Sequence, residues 1–125
     1  MEGKKIVIID DCKLTLAVAR DMLEAAGFEV ATASATIEAN PLVFCSNPPD
    51  LILVDVEMPL LNGKQTVGFL KSRESTKDIA VLMTSAKTRE ELSVIAKEVG
   101  ADGFVCKPLL PQVLLPQVKS LIASE

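Results

Sequence analysis

Four short apolar runs, each ending in a polar group, constrain this chain more than any other feature. Lys5-Ile6-Val7-Ile8-Ile9 ends in Asp10-Asp11, and Leu51-Ile52-Leu53-Val54 ends in Asp55, followed by Val56-Glu57-Met58-Pro59. Ile79-Ala80-Val81-Leu82-Met83 ends in Thr84-Ser85-Ala86, and Phe104-Val105-Cys106 ends in Lys107-Pro108. Short apolar runs alternating with helical patterns predict a doubly wound α/β fold around a parallel sheet, and such sheets place ligands beyond the carboxyl ends of their strands. Three carboxylates, a hydroxyl and an ammonium should therefore converge in one cleft. Carboxylates held that close repel one another unless a cation joins them. An oxygen-rich site beside a lone lysine suits Mg2+ and a phosphoryl group.

The chain reads as five βα units. The first strand, about 5–10, is apolar almost throughout, as a strand covered on both faces must be. A helix over about 13–26 places Leu16, Ala19, Leu23 and Ala26 at helical spacing and stops at Gly27. A second strand, about 28–32, alternates as a strand near an edge does. A second helix, about 35–45, contains Pro41, which favours a break or a late start. Further strands are expected at about 51–55, 79–84 and 103–106, with a third helix from about 63 to 73. Thr88-Arg89-Glu90-Glu91 fits a capping box, and Leu92, Ile95, Ala96 and Val99 form the apolar stripe of a fourth helix before Gly100. Gly63 and Gly103 read as turn residues.

The last segment carries the direct repeat Leu109-Leu110-Pro111-Gln112-Val113, Leu114-Leu115-Pro116-Gln117-Val118. A period of five matches neither helix nor strand. Pro111 suits a first helical turn, but Pro116 removes a hydrogen bond from an interior one. The expectation is a kinked fifth helix, or one whose regular part begins at Pro116, with some leucines of the repeat exposed as an apolar patch for a partner.

At 125 residues the chain is expected to be one domain spanning 1–125, with a core that needs no staples. No apolar stretch approaches the ~18 residues of a membrane span, and the start runs directly into the first strand, so a cytoplasmic protein is expected. Cys12, Cys45 and Cys106 are too few and scattered for a disulfide framework. Cys12 and Cys106 nevertheless neighbour site residues. A net charge of −4 without a basic cluster argues against direct nucleic-acid binding. The absence of histidine excludes a Ser-His-Asp triad, a histidine zinc site and a phosphohistidine carrier. Any histidine phosphoryl donor must belong to a partner.

The acidic pair Asp10-Asp11, the aspartate before an x-x-Met-Pro segment, the Thr-x-Ala at 84–86, the Gly-Ala-x-Gly at 100–103 and the Lys-Pro at 107–108 resemble, in order, the receiver domain of bacterial response regulators. The resemblance covers the chain from Lys4 to about Ile122. It implies a flavodoxin-like receiver fold with strand order 2-1-3-4-5, which periodicity alone does not determine. It implies a phosphoacceptor that is not an enzyme beyond its own phosphorylation and dephosphorylation.

On that resemblance Asp55 is the nucleophile that becomes an acyl phosphate. An isolated aspartate at a strand end is more simply a helix cap or turn former. Its place before Met58-Pro59, with the distant acidic pair, reverses those odds. Asp11 and Asp55 are implied as direct Mg2+ ligands, with the Glu57 backbone carbonyl, and Asp10 acts through water. Thr84 is implied to hydrogen-bond the phosphoryl group and Lys107 to neutralise it, with a cis peptide at Lys107-Pro108. Singly, Thr84 is a β-branched strand residue and Lys107 a surface lysine; only the joint pattern raises them. Phe104 occupies the family's aromatic switch position, where a tyrosine is frequent, or else is an ordinary core aromatic.

The implied partners are a histidine kinase or histidine phosphotransfer protein and a downstream protein target, with the face of the fourth helix, fifth strand and fifth helix also open to a second copy of the chain. Glu57 and Lys87 are expected to pair across the cleft entrance and gate the hydrolytic water. Two other readings stay open. One is a haloacid-dehalogenase-like phosphohydrolase using Asp55 and Glu57, against which the order of the acids argues. The other is an interaction domain on this scaffold with vestigial phosphorylation.

Overall fold

A computed structural model describes residues 4–34, 36–57 and 63–122. The strands are β1 (Lys5–Ile9), β2 (Glu29–Ala33), β3 (Leu51–Asp55), β4 (Ala80–Ser85) and β5 (Gly103–Cys106). The helices are α1 (Lys13–Ala25), α2 (Thr36–Val43), α3 (Gly63–Ser72), α4 (Arg89–Val99) and α5 (Pro111–Ile122). All pairings are parallel, in the order β2-β1-β3-β4-β5. The doubly wound sheet expected from the alternation is the fold observed.

Period-two side-chain direction builds two cores from the same strands. Val7, Ile9, Ile52, Val54, Val81 and Met83 face one layer, where they meet Val43, Val67, Leu70, Leu92 and Ala96 of α2, α3 and α4. Ile6, Ile8, Leu51, Leu53, Leu82 and Val105 face the other, where they meet Ala19 and Leu23 of α1 and Leu114, Val118 and Ile122 of α5. Every residue of β3 is buried, so a continuous apolar run is what its position requires. Burying each such side chain stabilises the fold by about 1.5–3 kcal/mol.

Register then positions the polar ends. Ile9 pairs beside Val54, so the chain leaves β1 at Asp10 alongside Asp55. Asp55 pairs with Thr84, and Thr84 in turn with Val105.

Local signals set the helix ends. The Thr88 hydroxyl accepts from the Glu91 N–H while the Glu91 carboxylate accepts from the Thr88 N–H, which is the expected capping box. Gly27 and Gly100, at φ 97° and 77°, supply the left-handed residues that end α1 and α4.

Several expectations are corrected or narrowed. The second helix neither breaks nor starts late at Pro41, which lies inside α2, and the Phe44 N–H bonds to Asn40 O at 2.8 Å just beyond. Of the two forms expected for the fifth helix, a regular part beginning at Pro116 is the one corrected: α5 begins at Pro111 and Pro116 lies within it. Pro116 leaves the Gln112 carbonyl without its helical donor. Leu114, Val118 and Ile122, spaced by four, bury a full stripe against the sheet, and that burial outweighs one lost bond. Of the repeat's four leucines, Leu109 and Leu114 are buried, Leu115 is half-buried and Leu110 is exposed, with Val113 also exposed. Finally, Gly103 opens β5 and is not a turn residue, while Gly63 is the first residue of α3. A Cβ on Gly103 would stand 2.9 Å from Leu82 Cδ2 and 3.0 Å from Gln117 Oε1. Glycine there lets α5 close on the sheet, where Gln117 Nε2 donates to Phe104 O at 2.8 Å.

Candidate functional site

Asp10 and Asp11, Asp55, Thr84 and Lys107 lie on four segments that reach the same edge of the sheet because β1, β3, β4 and β5 run parallel and end together. Asp10, Asp55 and Thr84 are buried at 1%, 4% and 1% exposure, whereas Asp11 is exposed. One carboxylate oxygen from each of Asp10, Asp11 and Asp55 can be chosen so that all lie within 4.8 Å of one another. Met58 and Pro59, part of the motif around Asp55, lie outside the described residues.

The acids are oriented by backbone. Asp10 Oδ1 accepts from the Cys12 N–H at 2.8 Å, and Asp55 Oδ1 accepts from the Glu57 N–H at 2.9 Å. The second oxygens turn to Lys107, whose Nζ lies 3.0 Å from Asp10 Oδ2 and 3.4 Å from Asp55 Oδ2. Asp10 Oδ2 is buried and, among the described residues, has the Lys107 ammonium as its single partner, which it shares with Asp55. Lys107 itself is held by its own N–H to Ser85 O at 2.7 Å, and the Lys107–Pro108 peptide is cis.

The charges are strained against one another. Burial raises the Asp10 pKa; the Cys12 N–H and Lys107 oppose that, the Asp55 charge adds to it, and the net shift is upward from 3.8. For Lys107 burial disfavours the ammonium, but Asp10 and Asp55 outweigh it and hold the pKa above 10.5. One lysine thus serves two buried carboxylates with a third acid beside them. Three clustered carboxylates sharing one ammonium, an all-oxygen donor set, fit a hard divalent cation such as Mg2+.

Glu57 does not pair with Lys87 as expected. Its carboxylate accepts from the Ser85 hydroxyl and from the Ala86 N–H at 3.0 Å, and it forms no ion pair with Lys87 among the described residues. Backbone and hydroxyl donors at the end of β4 are nearer and need no long side chain to be ordered. Ser85, fully buried, was not singled out by the sequence: it joins Glu57, the Lys87 N–H and the Lys107 N–H in one network. The middle position of a Thr-x-Ala segment carries no pattern that reveals this.

Phe104 is half-buried on β5, with the Arg89 guanidinium 5.8 Å from its ring centroid. A groove of about 430 Å3 opens beside Lys107 between α1 and the loop after β5, lined by Leu14, Thr15, Val18, Pro108 and Leu109.

Residues 6–119 match the model of the response regulator receiver domain family, and the chain belongs to that family. It is 37% identical over 125 residues to the phosphate regulon transcriptional regulatory protein PhoB of Pseudomonas aeruginosa, covering 98% of this chain and 53% of that protein. It is 31% identical to the protein PilG of the same organism, covering 98% of this chain and 90% of that one. Among solved structures, a putative response regulator from Chloroflexus aurantiacus superposes with a TM-score of 0.90 at 28% identity, covering 98% and 99% of the two chains. The chemotaxis response regulator CheY4 of Vibrio cholerae gives 0.80 at 29% identity, covering 94% and 98%. The chain spans about half the length of PhoB and of the mycobacterial regulator PrrA. No helix among the described residues is long and apolar enough to cross a membrane.

Proposed function

We propose that this chain is a phosphorylation-driven switch in which Asp55 accepts a phosphoryl group from a histidine kinase or histidine phosphotransfer protein. The observation that carries the reading is Lys107 Nζ standing between two buried carboxylates, Asp10 and Asp55, at the carboxyl edge of a parallel sheet. Asp11, Asp55 and the Glu57 carbonyl are the groups that would hold Mg2+, with Asp10 acting through water. When bound, the ion offsets the negative charge that gathers as phosphoryl approaches carboxylate.

The residues divide the remaining work. The Glu57 N–H fixes one oxygen of Asp55 and so aims the carboxylate. A carboxylate oxygen of Asp55 forms the new P–O bond as the donor's P–N bond breaks, and the donor imidazole leaves with the electron pair. Lys107 then transfers its contact from the carboxylates to a phosphoryl oxygen, and Thr84, adjacent to Asp55 in the sheet, supplies a hydroxyl. The apolar groove at Leu14, Val18 and Pro108 lies beside Lys107 and suits the donor's approach.

Displacement of Thr84 is felt across one strand at β5, where Phe104 is only half-buried. The α4–β5–α5 face is the proposed readout for a downstream protein or a second copy of the chain. Nothing about the site requires the phosphohydrolase reading, and the family assignment stands against it.

Incubation with acetyl phosphate and excess Mg2+ should add one phosphate by intact mass, and EDTA should prevent it. Asp11→Ala should shift the Mg2+ titration by about tenfold or more, the scale of losing one charged ligand, whereas Asp10→Ala should shift it less. Uptake unaffected by EDTA, or identical titrations for wild type and Asp11→Ala, would refute the metal assignment.

A further inference from the structure

At the ends of α2 and α3 the molecule leaves an aromatic pair in solvent. Phe44 and Phe69 keep 39% and 49% exposure, with ring centroids 6.3 Å apart and planes at 70°. The Arg73 guanidinium stacks over both, 5.4 Å from one centroid and 5.1 Å from the other. Among the described residues its side chain makes no hydrogen bond or ion pair, so a fork of N–H donors is ordered by two rings yet engaged by no acceptor.

Three neighbouring charges already have partners. Lys71 is held by Ile79 O and Asp102, and Glu74 is paired with Lys77 at 2.9 Å. A basic residue at the end of α3 is explained by the helix dipole. The dipole does not explain two exposed rings.

We propose that this face docks an amphipathic helix of a partner protein, with apolar side chains against Phe44 and Phe69 and a carboxylate on Arg73. Aromatic and arginine side chains are the residues that carry binding energy at such interfaces. Charge selects the occupant. A second copy using the same patch across a two-fold axis would set Arg73 against Arg73, whereas an acidic helix meets the unmatched cation. Position adds a consequence: α2 and α3 return antiparallel to the strands, so Phe44 and Arg73 lie at the end of the sheet opposite Asp55. A partner held there leaves the phosphorylation cleft open. The site is independent of the phosphorylation reading and stands or falls separately.

The test uses two synthetic helical peptides with the same leucine stripe, one flanked by glutamates and one by lysines, titrated into the isotope-labelled full chain. The acidic peptide should shift the amide signals of Phe44, Gly68, Phe69 and Arg73 and bind about tenfold tighter than the basic one. Arg73→Glu should invert that preference and Phe69→Ala should remove binding, while both variants still take up phosphate from acetyl phosphate. Equal binding of the two peptides, shifts centred on another face, a preference unchanged in Arg73→Glu, or self-association that Phe69→Ala abolishes would overturn the proposal.

Discussion

Asp10→Asn is expected to raise the stability of the metal-free protein at neutral pH by about 1–2 kcal/mol, the scale of relieving one buried, imperfectly compensated charge. Asp10 is 1% exposed, and among the described residues its Oδ2 has only the Lys107 ammonium, 3.0 Å away and shared with Asp55. Its pKa is raised from 3.8, with burial the largest cause. For a group raised in the fold, the stabilising contribution is full below the unfolded value and is lost as pH rises through the folded one. At neutral pH the Asp10 charge therefore works against folding. Asparagine removes that charge and keeps an oxygen for the Cys12 N–H. Thermal unfolding in EDTA should show a Tm higher by about 5 °C for a domain of this size, with the gain shrinking as pH falls towards 3.8 and wild-type Asp10 takes up its proton. Excess Mg2+ should narrow the gap by stabilising wild type more. A variant less stable than wild type at neutral pH in EDTA would contradict this account of the site.

Lys107→Ala should separate two properties that a merely structural lysine would move together. Phosphate uptake should fall about a hundredfold or more, the usual scale for deleting one donor to transition-state charge. Mg2+ affinity should rise, because the ammonium 3.0 Å from Asp10 and 3.4 Å from Asp55 competes with any cation there. The raised Lys107 pKa adds a third signature. Its contribution is present below 10.5 and is lost as pH rises through the higher folded value, so wild type should lose stability in that alkaline window and the variant should lose less. Metal titration, acetyl phosphate kinetics and unfolding across alkaline pH check the three effects, and a parallel fall in uptake and metal affinity would contradict the assignment.

The parts of the molecule visible in the sequence are those where composition and position agree. Acids, a threonine and a lysine ending apolar runs have few explanations besides a shared edge, and the structure brings Asp10, Asp11, Asp55, Thr84 and Lys107 to one edge. Boundaries held to within a residue or so wherever a cap was explicit, as at Thr88 and Gly100. Proline was over-read. At Pro116 a local rule foresaw a lost hydrogen bond, but the deciding quantity was the burial of Leu114, Val118 and Ile122, which depends on the packed sheet. Gly103 was misjudged for the same reason, since only the assembled α5 reveals how near Gln117 comes. Glu57 and Lys87 were matched by charge, yet Ser85 and the Ala86 N–H were closer partners. The Phe44–Phe69–Arg73 cluster joins two elements far apart in the chain and follows no periodicity.

The most direct test is to locate the phosphate. After incubation with acetyl phosphate and Mg2+, trapping of the acyl phosphate and peptide mass analysis should find a single modification on Asp55, and Asp55→Asn should remain unmodified under the same conditions. Modification of another residue in wild type, or undiminished labelling of Asp55→Asn, would contradict the proposal that Asp55 is the phosphoacceptor.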